Sequence, residues 1–321
     1  MWRDWEQAWQ QALYDPGGFV DTGSPPSAHF RTSVHVGSVL AEAVAELVGR
    51  VDTALGHPAE LDVVDLGAGG GELLEGVCAA VPAGLRARMR PLAVELRPAP
   101  SGWSSGWAAV LPARVRGLLV AHEWLDALAC PVVMHDGVTV RRVQVTDDGR
   151  QRLGPAAGGA VLAWLQRWSP LRAGMRVEVG LPRDVSWAGV LRSVVTGAAV
   201  AVDYGGMQAG DTLAAYRRGR QVRCAPDGSC DLSAHVFWPS VQALAPAVLT
   251  TQAQVLADLG AYPGGTARRA PTADPWQWLV GTVRAGHLAE LCDLAGLGGF
   301  GWLVAGRGGV APTDLGVTAT G

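Results

Sequence analysis

A buried strand that runs into a glycine turn and then into a helix is the feature that most restricts the fold of this chain. The segment is Val63-Val64-Asp65-Leu66-Gly67-Ala68-Gly69-Gly70-Gly71-Glu72-Leu73-Leu74. Glycines let a backbone approach a ligand closely and take positive φ without a steric penalty. The helix that follows presents backbone N–H groups with no intrahelical partner. Three more apolar runs alternate with helical stretches: Pro91-Leu92-Ala93-Val94-Glu95, Gly117-Leu118-Leu119-Val120-Ala121 and Ala198-Ala199-Val200-Ala201-Val202-Asp203. Continuous apolar strands of this kind argue for an α/β fold with a mostly parallel sheet covered on both faces.

The turn fits the dinucleotide spacing G-x-G-x-x-G only loosely, because the third glycine would fall on Glu72. An acid in the first helical turn repels a pyrophosphate, whereas a zwitterionic methionine moiety brings no phosphate. Asp65 at the strand end can meet an ammonium, directly or through water. Glu95 ends the next strand, where an acid can accept both hydroxyls of a ribose. The pattern points to S-adenosyl-L-methionine held by Asp65, Gly67, Gly69, Gly71 and Glu95. A turn that serves only tight strand–helix packing is the alternative.

Ala121-His122-Glu123-Trp124-Leu125-Asp126-Ala127-Leu128 follows the third strand, and Asp203-Tyr204-Gly205-Gly206 the fourth. Both stretches then lie at the carboxyl edge of the sheet, where open α/β folds bind ligands. Carboxylates such as Glu123 and Asp126 suit a cationic or N–H-bearing methyl acceptor, since they form charge-assisted, often bidentate bonds to a guanidinium. Asp203 is a further candidate for that role. Acids complementing the dipole of a helix N-terminus at 123–126 are the competing explanation.

Trp2, Trp5, Trp9 and Leu13 would line one helix face near the N-terminus, and a second apolar helix is expected over Val36–Val48. The first 50 residues therefore read as a helical cap, and 51–321 as the ligand-binding domain. Val132-Val133-Met134 and Val138-Thr139-Val140, joined by His135-Asp136-Gly137, read as a β-hairpin inside a β-rich insertion of about 130–183. Residues 205–235 read as a long Gly/Arg-rich loop. Helices around Gln252–Leu259 and Pro275–Leu294 precede a last strand over Phe300-Gly301-Trp302-Leu303-Val304-Ala305.

Composition narrows the function. All 26 basic residues are Arg, which excludes a lysine Schiff base, a P-loop lysine and a lysine base. A net charge of −3 with scattered acids and bases gives no reason to expect nucleic acid as a partner. No run of about 18 apolar residues suggests a membrane span, and the acid-bearing start Met1-Trp2-Arg3-Asp4-Trp5-Glu6 is unlike a secretory signal. A soluble cytoplasmic protein is expected. The five cysteines form no C-x-x-C pair, and His122-Glu123-Trp124-Leu125-Asp126 lacks the second histidine of H-E-x-x-H, so no metal is expected.

In their order along the chain these residues resemble the MidA-like family of class I methyltransferases, which includes a mitochondrial complex I assembly factor. The likeness runs from Ala12-Leu13-Tyr14-Asp15-Pro16 and Phe30-Arg31-Thr32 through the glycine turn, Val94-Glu95 and His122-Glu123-Trp124-Leu125-Asp126. It continues through Val202-Asp203-Tyr204-Gly205, Tyr216-Arg217-Arg218, Asp231-Leu232-Ser233-Ala234-His235 and Thr251-Gln252. The resemblance implies a Rossmann-like sheet with an antiparallel last strand. It also implies methyl transfer to a protein nitrogen such as that of arginine, and cofactor contacts from Phe30, Thr32 and His122. Ala28-His29 stands where the family has Gly-Asp, Ser33-Val34-His35 where it has Pro-Glu, His122 for an Asn, and Gly219 for a His. These departures fall on the acceptor side, so a non-catalytic assembly partner is a second reading; a nicotinamide oxidoreductase is a third, opposed by Glu72 and the missing lysines.

Overall fold

The computed structural model describes residues 1–21, 32–261 and 275–319. Their contacts divide them into two compact units. One gathers the described residues of 32–122, 191–202 and 246–319; the other gathers 1–21, 123–190 and 203–245.

The first unit is built on a seven-stranded sheet. Its strands are β1 (Leu61–Leu66), β2 (Met89–Val94), β3 (Gly106–Ala108), β4 (Val115–His122), β5 (Val194–Asp203), β6 (Ala247–Thr251) and β7 (Gly301–Arg307). They lie in the order β6-β7-β5-β4-β1-β2-β3. The pairs β1–β2, β1–β4, β4–β5 and β2–β3 are parallel, and β6–β7 is antiparallel. The chain therefore has the mostly parallel α/β fold expected, with its last strand lying between β5 and β6 and antiparallel to β6. Val63, Leu118, Val120, Ala198 and Val200 are buried with residues of the helix Val39–Ala54, and the alternate residues Val64, Leu119, Ala199 and Ala201 are buried too, so these strands are apolar on both faces. That helix begins and ends later than the apolar run alone suggested.

The second unit is mainly antiparallel. Val140–Val145 pairs with Val132–His135, with Gln151–Ala156 and with Arg3–Asp4, and Arg176–Glu178 extends the sheet beyond Val132–His135. The β-rich character expected around 130–183 is present, and its hairpin turns at His135–Val140. The helix Trp5–Tyr14 buries Trp5, Trp9 and Leu13 against Val143, Val145 and Leu232. The Trp9 indole N–H donates to Leu232 O at 3.0 Å. Trp2 precedes this helix, and its ring lies under the Arg152 guanidinium.

Two features differ from the sequence reading. Residues 1–21 and the helix Val39–Ala54, read together as one cap, lie in different units because each packs its apolar face into a different core. The stretch 205–235 is not a structureless loop: Ala214–Arg217 pairs with Arg220–Val222 and with Asp231–Ser233, and Gly205–Gly206 pairs with Val236–Phe237. No helix among the described residues is long and apolar enough to cross a membrane.

Candidate functional site

The glycine turn follows β1 directly. Gly67, Gly69 and Gly71 have φ of 78°, 60° and 89°, a left-handed conformation that side-chain-bearing residues pay about 1–2 kcal/mol to adopt. Gly71 is also the N-cap of the helix Glu72–Ala80, and a Cβ there would lie 2.2 Å from the Trp103 ring. Gly71→Ala should therefore lower stability by about 2 kcal/mol or more, measured by denaturant unfolding; an unchanged midpoint would contradict this packing.

The end of β2 is stitched to the turn. Gly67 N–H donates to Val94 O at 2.8 Å, and Gly69 N–H donates to Glu95 Oε2 at 2.9 Å. Glu95 Oε1 accepts from Leu96 N–H and Arg97 N–H at 2.9 and 3.1 Å. These bonds fix the carboxylate, and its remaining lone pairs can still accept hydroxyls.

Asp65 is 5% exposed, and its Oδ2 has no hydrogen-bond partner among the described residues. Burial, with the charges of Glu72 and Glu95 behind it, pushes its pKa up to about 7. A buried carboxyl oxygen without a donor, beside two further acids, is relieved by a cationic ligand group. This donor set and the left-handed turn fit the amino-acid end and ribose of S-adenosyl-L-methionine.

Thr32 is buried, with its hydroxyl 2.6 Å from His35 Nδ1. His35 Nε2 lies 3.7 Å from Glu72 Oε1, and Glu72 Oε2 accepts from Gly70 N–H at 3.1 Å. Thr32 is thus tied to the turn through His35. His122 ends β4 and is buried; burial, aided by the charge of His35, lowers its pKa to about 4 and keeps the ring neutral. Phe30 lies outside the described residues. The sequence assigned no cofactor role to two residues near the turn. His35 sits in a short 3-10 turn with no periodic signal, and Trp103 reaches Gly71 from a loop.

In the antiparallel unit, Asp203 is fully buried. Its Oδ2 accepts from Leu125 N–H at 2.9 Å and Asp126 N–H at 3.1 Å, and its Oδ1 accepts from Tyr204 N–H at 3.0 Å. Residues 123–126 therefore form a turn held by a distant carboxylate, and the helix N-terminus considered from the sequence does not form. Burial, then the charges of Asp126 and Glu123, push the Asp203 carboxyl well above the ordinary range. Burial raises Asp126 as well, opposed by the charge of Arg183 and by the Tyr204 hydroxyl. Arg183, itself buried, donates to the carbonyls of Asp126 at 2.8 Å, Ala234 at 3.0 Å and His235 at 2.6 Å.

Glu123 adopts φ of 50°. A non-glycine residue in that region is uncommon, and such strain collects at binding and catalytic positions. The Tyr204 hydroxyl donates to Ser233 Oγ, and its ring meets His235 edge-on at 5.2 Å. Glu123, Asp126 and Asp203 thus form one acidic cluster with an aromatic wall, while Asp65, Gly67, Gly69, Gly71, Glu95, Thr32 and His122 belong to the parallel-sheet unit. Among the described residues no group of His, Cys, Asp or Glu is arranged to hold a metal ion.

Residues 40–256, more than half of the chain, match the family described as "Putative S-adenosyl-L-methionine-dependent methyltransferase". No curated protein matches the chain. A Burkholderia thailandensis protein crystallised with S-adenosyl-homocysteine is 22% identical, with a TM-score of 0.80, covering 98% of this chain and 90% of that one. A native crystal structure from the same organism, also 22% identical, has a TM-score of 0.81 and covers 99% and 91%. At this identity the likeness shows the shared fold.

Proposed function

Because the chain belongs to that family of S-adenosyl-L-methionine-dependent methyltransferases, we propose that it methylates a nitrogen of a protein acceptor, with an arginine guanidinium as the group its carboxylates suit. The observation that carries this reading is the acidic cluster of Glu123, Asp126 and Asp203, ordered by a fully buried carboxylate. The S-adenosyl-homocysteine bound by the Burkholderia thailandensis protein supports the cofactor side.

Bound S-adenosyl-L-methionine supplies an electrophilic methyl on a sulfonium. Asp65 pairs with the ammonium of its amino-acid end, and Glu95 accepts the ribose hydroxyls. Glu123 and Asp126 accept N–H bonds from the acceptor, orient its reacting nitrogen and stabilise the positive charge it carries. Asp203 spends its oxygens on backbone N–H groups, so it positions the 123–126 turn rather than touching the acceptor.

Glu95→Ala should weaken S-adenosyl-L-methionine binding at least about tenfold, since bonds to a charged acceptor contribute about 1.5–3 kcal/mol each. Unchanged affinity in a folded variant, read by calorimetry, would remove Glu95 from the cofactor site. The acceptor is tested with methyl-labelled cofactor and a cell lysate. Label recovered as methylarginine after protein hydrolysis is the expected result. Label confined to small molecules or lipid would overturn the protein-nitrogen assignment, and cofactor binding without any transfer would favour a partner-binding role.

A further inference from the structure

We propose that His35 binds the α-carboxylate of the cofactor's amino-acid end, its imidazole presented by Thr32 beside the first turn of the helix Glu72–Ala80. This rests on the cofactor reading above and adds a specificity residue to it. The amino-acid end of S-adenosyl-L-methionine carries one cation and one anion. Around the glycine turn stand three acids, Asp65, Glu72 and Glu95, whose charges act on one another. They welcome the ammonium and repel the carboxylate, which therefore needs a donor of its own.

His35 supplies one. Its Nε2 faces Glu72 Oε1 at 3.7 Å. In the tautomer that turns an Nε2 proton toward this carboxylate, Nδ1 accepts from the Thr32 hydroxyl at 2.6 Å. Thr32 is 5% exposed, so the anchor is fixed, whereas 31% of the His35 side chain is exposed and open to a ligand. Glu72 is itself held, its other oxygen accepting from Gly70 N–H. The buried Asp65 Oδ2, without a hydrogen-bond partner among the described residues, marks the same turn as a place for the opposite charge. Asp65 for the ammonium and His35 for the carboxylate together read both ends of an α-amino acid.

The experiment titrates S-adenosyl-homocysteine and 5′-methylthioadenosine, which lacks the amino-acid end, into the full chain and into His35→Ala and His35→Gln. His35→Ala should weaken S-adenosyl-homocysteine about tenfold, as loss of a charge-assisted bond requires. It should leave 5′-methylthioadenosine within about twofold. His35→Gln keeps a side-chain N–H donor at similar reach and should hold S-adenosyl-homocysteine within about threefold of the parent. Undiminished S-adenosyl-homocysteine binding by His35→Ala, or equal loss of both ligands, would overturn the role of His35 while leaving the cofactor reading intact. A parent chain that binds neither ligand would overturn the cofactor reading and this proposal with it.

Discussion

Glu123→Gln is expected to lower methyl transfer by about a hundredfold or more while S-adenosyl-L-methionine affinity stays within a few-fold. The substitution keeps size and hydrogen-bonding capacity but removes the charge that would steady a cationic acceptor as its nitrogen is methylated. No helix begins at 123–126, so the loss cannot be assigned to a helix dipole; the turn is held instead by Asp203. A second substitution separates catalysis from folding. Glu123 pays for its φ of 50° in backbone strain, so Glu123→Gly should raise stability by about 0.5–1 kcal/mol and still abolish most turnover. Undiminished transfer by a folded Glu123→Gln protein would remove this residue from the acceptor site.

The affinity for S-adenosyl-L-methionine is expected to fall about tenfold between pH 8 and pH 6, with a proton released on binding in the acidic range. Asp65 carries the reason. Its pKa is raised to about 7 by burial and by Glu72 and Glu95, so near pH 6 the ligand-free protein holds this carboxyl mostly protonated. An ammonium needs the ionised form, and the deficit costs about one decade per pH unit below the pKa.

The same shift makes a stability statement. The folded-state pKa lies above the ordinary aspartate value of about 3.9, so the native state binds the extra proton. Its contribution is fully present below about pH 4 and is lost as pH rises through about 7, an effect of up to about 4 kcal/mol for a shift of about three units. Asp65→Asn should flatten this dependence, leave the ligand-free protein more stable than the parent at pH 8, and weaken cofactor binding at least about tenfold. Chemical unfolding across pH 4–8 and calorimetry in buffers of differing ionisation enthalpy read both effects. Equal pH slopes for parent and variant would contradict the assignment.

What could be read from the sequence follows from how local the determinants are. Strands β1, β2, β4, β5 and β7 are continuous apolar runs because both faces of the sheet are covered, and that pattern survives without any knowledge of partners. Strand β6 was not legible, since Ala247–Thr251 runs straight into the helix Gln252–Asp258 with no punctuation between them. The short strands Ala214–Arg217 and Arg220–Val222 are hidden among arginines and glycines, and pairing rather than composition makes them strands.

The glycine turn announces itself because its backbone demands glycine at three left-handed positions. The structure of residues 123–126 does not, because the acceptor for their N–H groups comes from Asp203, 77 and 78 residues away. The sequence marks His35 as a departure from the family pattern but not its place beside the turn, because its neighbours Thr32 and Glu72 give it meaning only in three dimensions.

The placement of the cofactor on the glycine turn is tested most directly by a calorimetric titration of the parent chain at pH 8 with S-adenosyl-L-methionine, S-adenosyl-homocysteine and NAD. The first two should bind saturably at one site per chain, more weakly in both Asp65→Asn and Glu95→Ala, and NAD, whose pyrophosphate Glu72 repels at the head of its helix, should not bind. Binding of NAD, or saturable binding of S-adenosyl-homocysteine that neither substitution alters, would contradict the placement of the cofactor on the glycine turn.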